Sequence, residues 1–184
     1  EKVTAKTRVI MVVHIYGLPV DMDPIIEFCE MNSIVIIEDA AEAHGVRYRG
    51  KMCGSFGLAS TFSFYANKAI TAGEGGIVLT DDDDFRDKIR YLRNLAFAPP
   101  PGKRFVHTDL GWNLRLSSLQ AALANSQLKR LDSITNRKRE IGLAYHSLLR
   151  GDDRVNLQLT ETDYAKNMYW VFGVVFEATI DADA

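Results

Sequence analysis

Two apolar runs rich in β-branched residues constrain this chain more than any other feature. Val9–Val13 (VIMVV) and Ile34–Ile37 (IVII) each have strand length, and a helix-sized segment separates them. Pro24 suits the first turn of that helix, where its missing N–H goes unnoticed, and Asp23 before it suits the N-cap. Ile25, Ile26, Phe28, Cys29 and Met31 then fall on one helical face. Strand, helix and strand at this spacing form a βαβ unit, which predicts a parallel sheet. Uninterrupted apolar runs also predict strands buried on both faces.

The rest of the chain extends this α/β reading. Ser60–Phe64 (STFSF) and Gly76–Thr80 (GIVLT) are further strand candidates, flanking a glycine-rich loop. Asp83–Asn94 repeats Phe85, Ile89 and Leu92 at helical spacing, and the acidic run at 81–84 suits its N-terminus. Leu95–Asp109 contains three consecutive prolines and reads as a long loop. Helices are expected over about Ser117–Leu131 and Asp132–Leu149, and strands at Val155–Leu159 and Trp170–Phe176. The expected organisation is a larger unit over residues 1–150, a mainly parallel sheet flanked by helices, and the beginning of a smaller, truncated unit over 151–184.

Composition removes several classes of function. A net charge of −2 gives no electrostatic basis for a nucleic-acid partner. The longest apolar runs are strand-sized, so no membrane span is expected. The polar start, EKVTAKTR, lacks the apolar stretch of a secretory signal. Cys29 and Cys53 are read as reduced thiols of a cytoplasmic protein. His14, His44, His107 and His146 have no metal-ligand spacing, and neither G-x-G-x-x-G nor a Walker A pattern occurs.

The chemistry centres on SFYANKAITAGEGG, residues 63–76. Lys68 in this stretch reads either as a solvated turn lysine or as a carbonyl-reactive amine. In an open α/β sheet, ligands bind beyond the carboxyl ends of the strands. Asp39, Ser63, Lys68 and the glycines at 73–76 all fall there. An acid, a hydroxyl, a lysine and bare backbone suit pyridoxal 5'-phosphate: an amine for its aldehyde, a carboxylate for its ring nitrogen, donors for its phosphate. Each residue also has an ordinary reading. Asp39 serves as a cap, Ser63 as an alternating strand residue, Glu42 as a solvated helix residue and Asn113 as a turn former. His14 reads as a pocket or core residue and His44 as a turn partner. Lys103 and Arg104 read as a solvated basic pair or as a diphosphate contact.

EDAAEAHG (38–45), FSFYANKAITAGEGG (62–76) and LGWNLRLSSLQAA (110–122), in this order, closely resemble the DegT/StrS-type sugar aminotransferases. The resemblance implies the large domain of a fold-type I, pyridoxal-phosphate enzyme, here incomplete, since such proteins run to roughly twice this length. It implies Lys68 as Schiff-base lysine and proton shuttle, Asp39 at the pyridinium nitrogen, Glu42 at the ring hydroxyl and Ser63 at the phosphate. Asn113 would reach the cofactor phosphate of a neighbouring subunit, so a homodimer or higher homo-oligomer is implied. VVHIYGLPVDMDPI and AKNMYWVFGVVF are most similar to the branch that aminates carbon 4 of a GDP-linked 4-keto-6-deoxymannose, with glutamate as amino donor. The alternative expectation is a non-catalytic remnant acting as an interaction or regulatory module.

Overall fold

The computed structural model of the chain describes residues 2–97 and 105–177. Lys103 and Arg104 lie outside the described residues, as does the tail beyond 177. Strands β1 (Val9–Val13), β2 (Val35–Asp39), β5 (Ala59–Ser63) and β6 (Gly76–Leu79) form one sheet in that spatial order. Both β1–β2 and β2–β5 are parallel, while β6 returns antiparallel to β5. Helix α1 (Asp23–Met31) connects the first two strands, completing the expected βαβ unit. A tight hairpin, β3 (Arg47–Tyr48) and β4 (Lys51–Met52), turns on Arg49 and Gly50, both at positive φ, as a two-residue loop requires. Helices α2 (Asp83–Arg93), α3 (Ser118–Leu128) and α4 (Leu131–Leu149) follow, then a two-stranded antiparallel ribbon, β7 (Val155–Leu157) and β8 (Val174–Phe176).

Local sequence explains most of these boundaries. The Asp82 carboxylate accepts the Phe85 N–H at 2.7 Å and caps α2, with Asp83 and Asp84 in its first turn. Ser117 and Gln120 cap α3 reciprocally. Helix α1 departs from expectation. Met22, not Asp23, is its N-cap, and no side chain bonds there. Asp23 is instead the first helical residue and pairs with Arg49 at 2.8 Å. Met31 and Phe28 are exposed; only Cys29, Ile25 and Ile26 turn inward.

The strands also differ from the expectation of burial on both faces. Val9, Met11 and Val13 are exposed while Val12 is buried, so β1 alternates. The physical reason is that one face of the sheet is uncovered among the described residues; the central β2 alternates in the same way. The covered face carries the core: Val12 and Ile36 pack with Met22, Cys29, Tyr48 and Met168. Tyr164, Met168 and Trp170, from the stretch after Gly151, join this same core.

That covered face also buries a carboxylate and its imidazole partner. Glu38 and His14 have no solvent exposure, and His14 Nε2 lies 3.1 Å from Glu38 Oε2. Val20 N–H points at His14 Nδ1 at 3.4 Å, leaving Nε2 to carry the proton. The carboxylate accepts three further N–H groups, from Gly54 (2.6 Å), Phe56 (2.6 Å) and Gly57 (2.9 Å). Burial alone would raise the Glu38 carboxyl, but these donors outweigh it and hold it below the usual carboxylate range. Gly57 is obligatory in this loop, since a Cβ would sit 2.4 Å from the Ile36 carbonyl oxygen. His14 is therefore a core residue bonded to Glu38, and its reading as a pocket residue is not borne out. Replacing Glu38 by alanine strands four donors in the interior. Urea unfolding of Glu38→Ala is expected to show a loss of several kcal/mol, since each buried donor left unsatisfied costs about 1–3 kcal/mol.

Candidate active site

The register of the sheet sets two of the predicted site residues on one face. Asp39 pairs with Thr61 across β2 and β5, and Ser63 follows two residues later. Paired residues and their i+2 neighbours share a face, so Asp39 and Ser63 project from the same side at the carboxyl ends of parallel strands. Asp39 Oδ1 accepts the Ala41 N–H at 3.0 Å and starts the turn that carries Glu42. Its second oxygen has no hydrogen-bond partner among the described residues. Ser63 Oγ accepts the Tyr65 N–H at 3.2 Å, and its own proton has no acceptor among the described residues.

Lys68 rides on the excursion between β5 and β6. The excursion is closed at its neck by Phe64 N–H to the Gly75 carbonyl at 2.8 Å. Its base is anchored by Ile70 and Ala72, buried against Ala124 of α3. Gln127 of α3 brackets Thr71 on both sides: its Oε1 accepts the Thr71 N–H (3.1 Å) and its Nε2 donates to the Thr71 carbonyl (2.7 Å). Beyond this clamp Gly73 has positive φ and open space around it, so its backbone is accessible to a ligand.

The Lys68 side chain is only 10% exposed. Its Nζ lies 3.5 Å from Glu42 Oε1 and 3.7 Å from the centre of the Trp170 ring. Glu42 is held in turn, its Oε2 accepting the Tyr16 N–H at 2.8 Å. The Trp170 ring stacks on Tyr16, with centroids 6.1 Å apart, and its Nε1 donates to the Asn67 carbonyl at 3.1 Å. Gly17 makes this approach possible: a Cβ there would meet the Trp170 nitrogen at 2.8 Å. Tyr16 and Tyr169 hold positive φ angles of 58° and 56° around the same junction. Such strain in non-glycine residues clusters at functional sites.

The structure thus gathers Asp39, Glu42, Ser63 and Lys68 at one end of the sheet, with Glu42 and Lys68 in direct contact. Asn113 is elsewhere. It is exposed, bridges to Asn94 and accepts from Arg115 Nε at 3.1 Å. No hydrogen bond or ion pair joins it to the other four among the described residues. A large concavity of about 1080 Å³, walled by Phe62, Arg86, Arg90, Trp112 and Leu114, contains none of the five. The concavity does reach the neck of the glycine-rich loop, where Gly75 and Gly76 line it. Sequence reading missed Trp170, Tyr16 and Gln127. Only the aromatic pair in NMYWVF hinted at the first.

His44 is the unsettled polar group beside this cluster. It is buried between Phe62 and Phe64, and neither ring nitrogen meets a partner at hydrogen-bond geometry. It therefore does not serve the turn as expected. Burial, with the Lys68 charge adding to it, lowers its pKa to about 4; the Ser63 main chain pulls weakly the other way.

The profile of the DegT/DnrJ/EryC1/StrS aminotransferase family matches residues 1–183. The chain belongs to this family. A GDP-perosamine synthase of Caulobacter vibrioides is 41% identical over 176 residues, covering 94% of this chain and 46% of that protein. A GDP-perosamine synthase of Vibrio cholerae is 38% identical over 177 residues, covering 96% and 47%. The crystal structure of Streptomyces venezuelae DesV, in complex with a ketimine intermediate, superposes with a TM-score of 0.86 at 36% identity, over 96% of this chain and 46% of that one. The chain thus spans about half the length of these relatives, and its mixed sheet with flanking helices is their fold. Among the described residues, no helix is long and apolar enough to cross a membrane.

The His44 shift has a definite sign for this family member. Its folded pKa of about 4 lies below the ordinary 6.5, so the unfolded chain takes up the proton first. Stability is fully present above 6.5 and falls as pH drops toward 4, by on the order of 3 kcal/mol. Denaturant unfolding of His44→Phe across this window should show a visibly flatter pH dependence than the parent.

Proposed function

We propose that this chain forms the lysine-bearing part of a pyridoxal 5'-phosphate-dependent aminotransferase. The amino group would pass from an amino acid, glutamate by preference, to a nucleotide-linked 4-keto-6-deoxy sugar. GDP-perosamine formation for surface polysaccharide is the reading favoured by the similarity to proteins named for that product. One observation carries the assignment: Lys68, 10% exposed and paired with Glu42, stands beside Asp39 and Ser63 at the carboxyl ends of parallel strands.

The residues fit the cofactor's chemistry. Bound there, pyridoxal phosphate would supply an electron sink for cleavage of the amino donor's α-C–H bond. The partnerless oxygen of Asp39 suits a protonated ring nitrogen. The free Ser63 proton suits a phosphate oxygen, and the space beside Gly73 leaves room for one, although the Gly73 N–H itself donates to Thr71 Oγ1 at 2.9 Å. Lys68 is the base that would move a proton between substrate and cofactor carbons once its amine is free. Glu42 orients that amine, and its hold on the Tyr16 N–H keeps the carboxylate in place. Trp170 lies against the amine as well and shields it from water, which strengthens the electrostatic interactions there.

Asn113 acts, on this reading, in a second subunit. Leu110, Trp112, Leu114 and Leu119 around it are all exposed, with Leu119 at 85%. Exposed apolar side chains in such number support a protein partner, and a homodimer would bring Asn113 to the neighbouring phosphate.

The test is covalent. Incubation with pyridoxal phosphate, borohydride reduction and peptide mass spectrometry should place one adduct, on Lys68. Lys68→Ala should abolish both the adduct and amino transfer in the complete enzyme. Transfer retained by Lys68→Ala would overturn the role of Lys68, and an adduct spread over surface lysines with no transfer would leave the non-catalytic module in its place.

A further inference from the structure

The two groups that meet the Lys68 amine recognise one particular form of it. A carboxylate at 3.5 Å and an indole face at 3.7 Å both attract an ammonium more strongly than a neutral amine. Neither is a casual neighbour. Trp170 is fixed at four points: its N–H donates to the Tyr16 carbonyl (3.0 Å), its carbonyl accepts from Lys138 Nζ (3.0 Å), its Nε1 donates to Asn67, and its ring stacks on Tyr16. Asn67 precedes the lysine itself, so the indole is tied to the segment it covers. Glu42 is tied to Tyr16 as well. Tyr16 therefore holds both walls, through its N–H, its carbonyl and its ring.

From this geometry we propose that Trp170 and Glu42 form a seat for the protonated, unbonded Lys68 side chain, and that Trp170 is a positioning residue for it. The inference rests on the assignment of Lys68 above, because a lysine that is repeatedly released during turnover needs a defined resting place. To reach a carbonyl carbon the amine must shed its proton and leave the indole face. The seat thus opposes that step, holding the lysine in one known position until a carbonyl competes for it. Trp is the aromatic residue that binds a cation best. A smaller ring at 170 would hold the lysine less tightly, and an aliphatic side chain would leave it to Glu42 alone.

The seat is testable without cofactor. Nuclear magnetic resonance of the 184-residue chain labelled at lysine ε-carbons should show one ε-methylene signal moved upfield by the indole ring current, outside the envelope of the others. Lys68→Arg should delete that signal, which assigns it. Trp170→Leu should return it to the envelope. Trp170→Phe should leave it at an intermediate position, and decides the matter if the leucine variant fails to fold, as judged by circular dichroism and Trp112 fluorescence. In parallel, pyridoxal phosphate should add to Lys68 several-fold faster in Trp170→Leu, or in Trp170→Phe, than in the parent. A folded parent without a displaced signal, a displacement unchanged by these variants, or an unchanged rate of addition would overturn the seat. Addition of pyridoxal phosphate away from Lys68, with the displaced signal intact, would instead count against the assignment of Lys68 on which the seat's use depends.

Discussion

A carboxylate shut away from water organises this end of the sheet. Glu38 is completely buried, and six atoms settle it in the interior: two carboxylate oxygens and the four donors that reach them from His14 and the 54–57 loop. An unpaired charge there would be ruinous; satisfied, it becomes a rigid joint. The joint fixes β2 against the turn after β1 and the loop before β5. Asp39 is the next residue on β2. Alternation of the strand then sends it to the opposite face, toward the candidate site. Burial of one acid thus determines where its neighbour is presented.

The second dependency runs through the excursion holding Lys68. Its inner side is apolar, with Ile70 and Ala72 against α3, and its main chain is gripped by Gln127. Its outer side carries Lys68 and the glycines. A loop anchored on one side and open on the other can offer bare backbone to a ligand without losing its own shape. Glu42 and Trp170 complete the arrangement from two other parts of the chain.

Much of this was legible in the sequence, and the limits have physical reasons. The βαβ unit could be read from VIMVV, Pro24 and IVII because strand and helix periodicities are local. The start of α2 could be read from the acidic run at 81–84 for the same reason, and a helix beginning near Ser117 was expected as well. Gathering of Asp39, Ser63 and Lys68 followed from the rule that sheet ligands lie at strand ends. Burial on both faces of β1 was misread, because an apolar run carries no information about whether its second face finds a cover. Asp23 as N-cap was misread because Arg49, remote in sequence, competes for its carboxylate. Gln127 and Trp170 were missed outright. Their bonds to Thr71 and Asn67 span 56 and 103 residues, and no local pattern announces such pairs.

The bond from Trp170 to Asn67 has a consequence for how such a chain can change over generations. The lysine loop and the stretch around residue 170 share one wall, one hydrogen bond and a common dependence on the Tyr16–Gly17 turn. A crossover between homologous genes near Gly151 would separate a lysine from the indole shaped to meet it. Segments on the two sides of that point are therefore expected to be inherited as a matched pair, and chimaeras joined there should work only when both halves agree on residues 16, 17, 67 and 170.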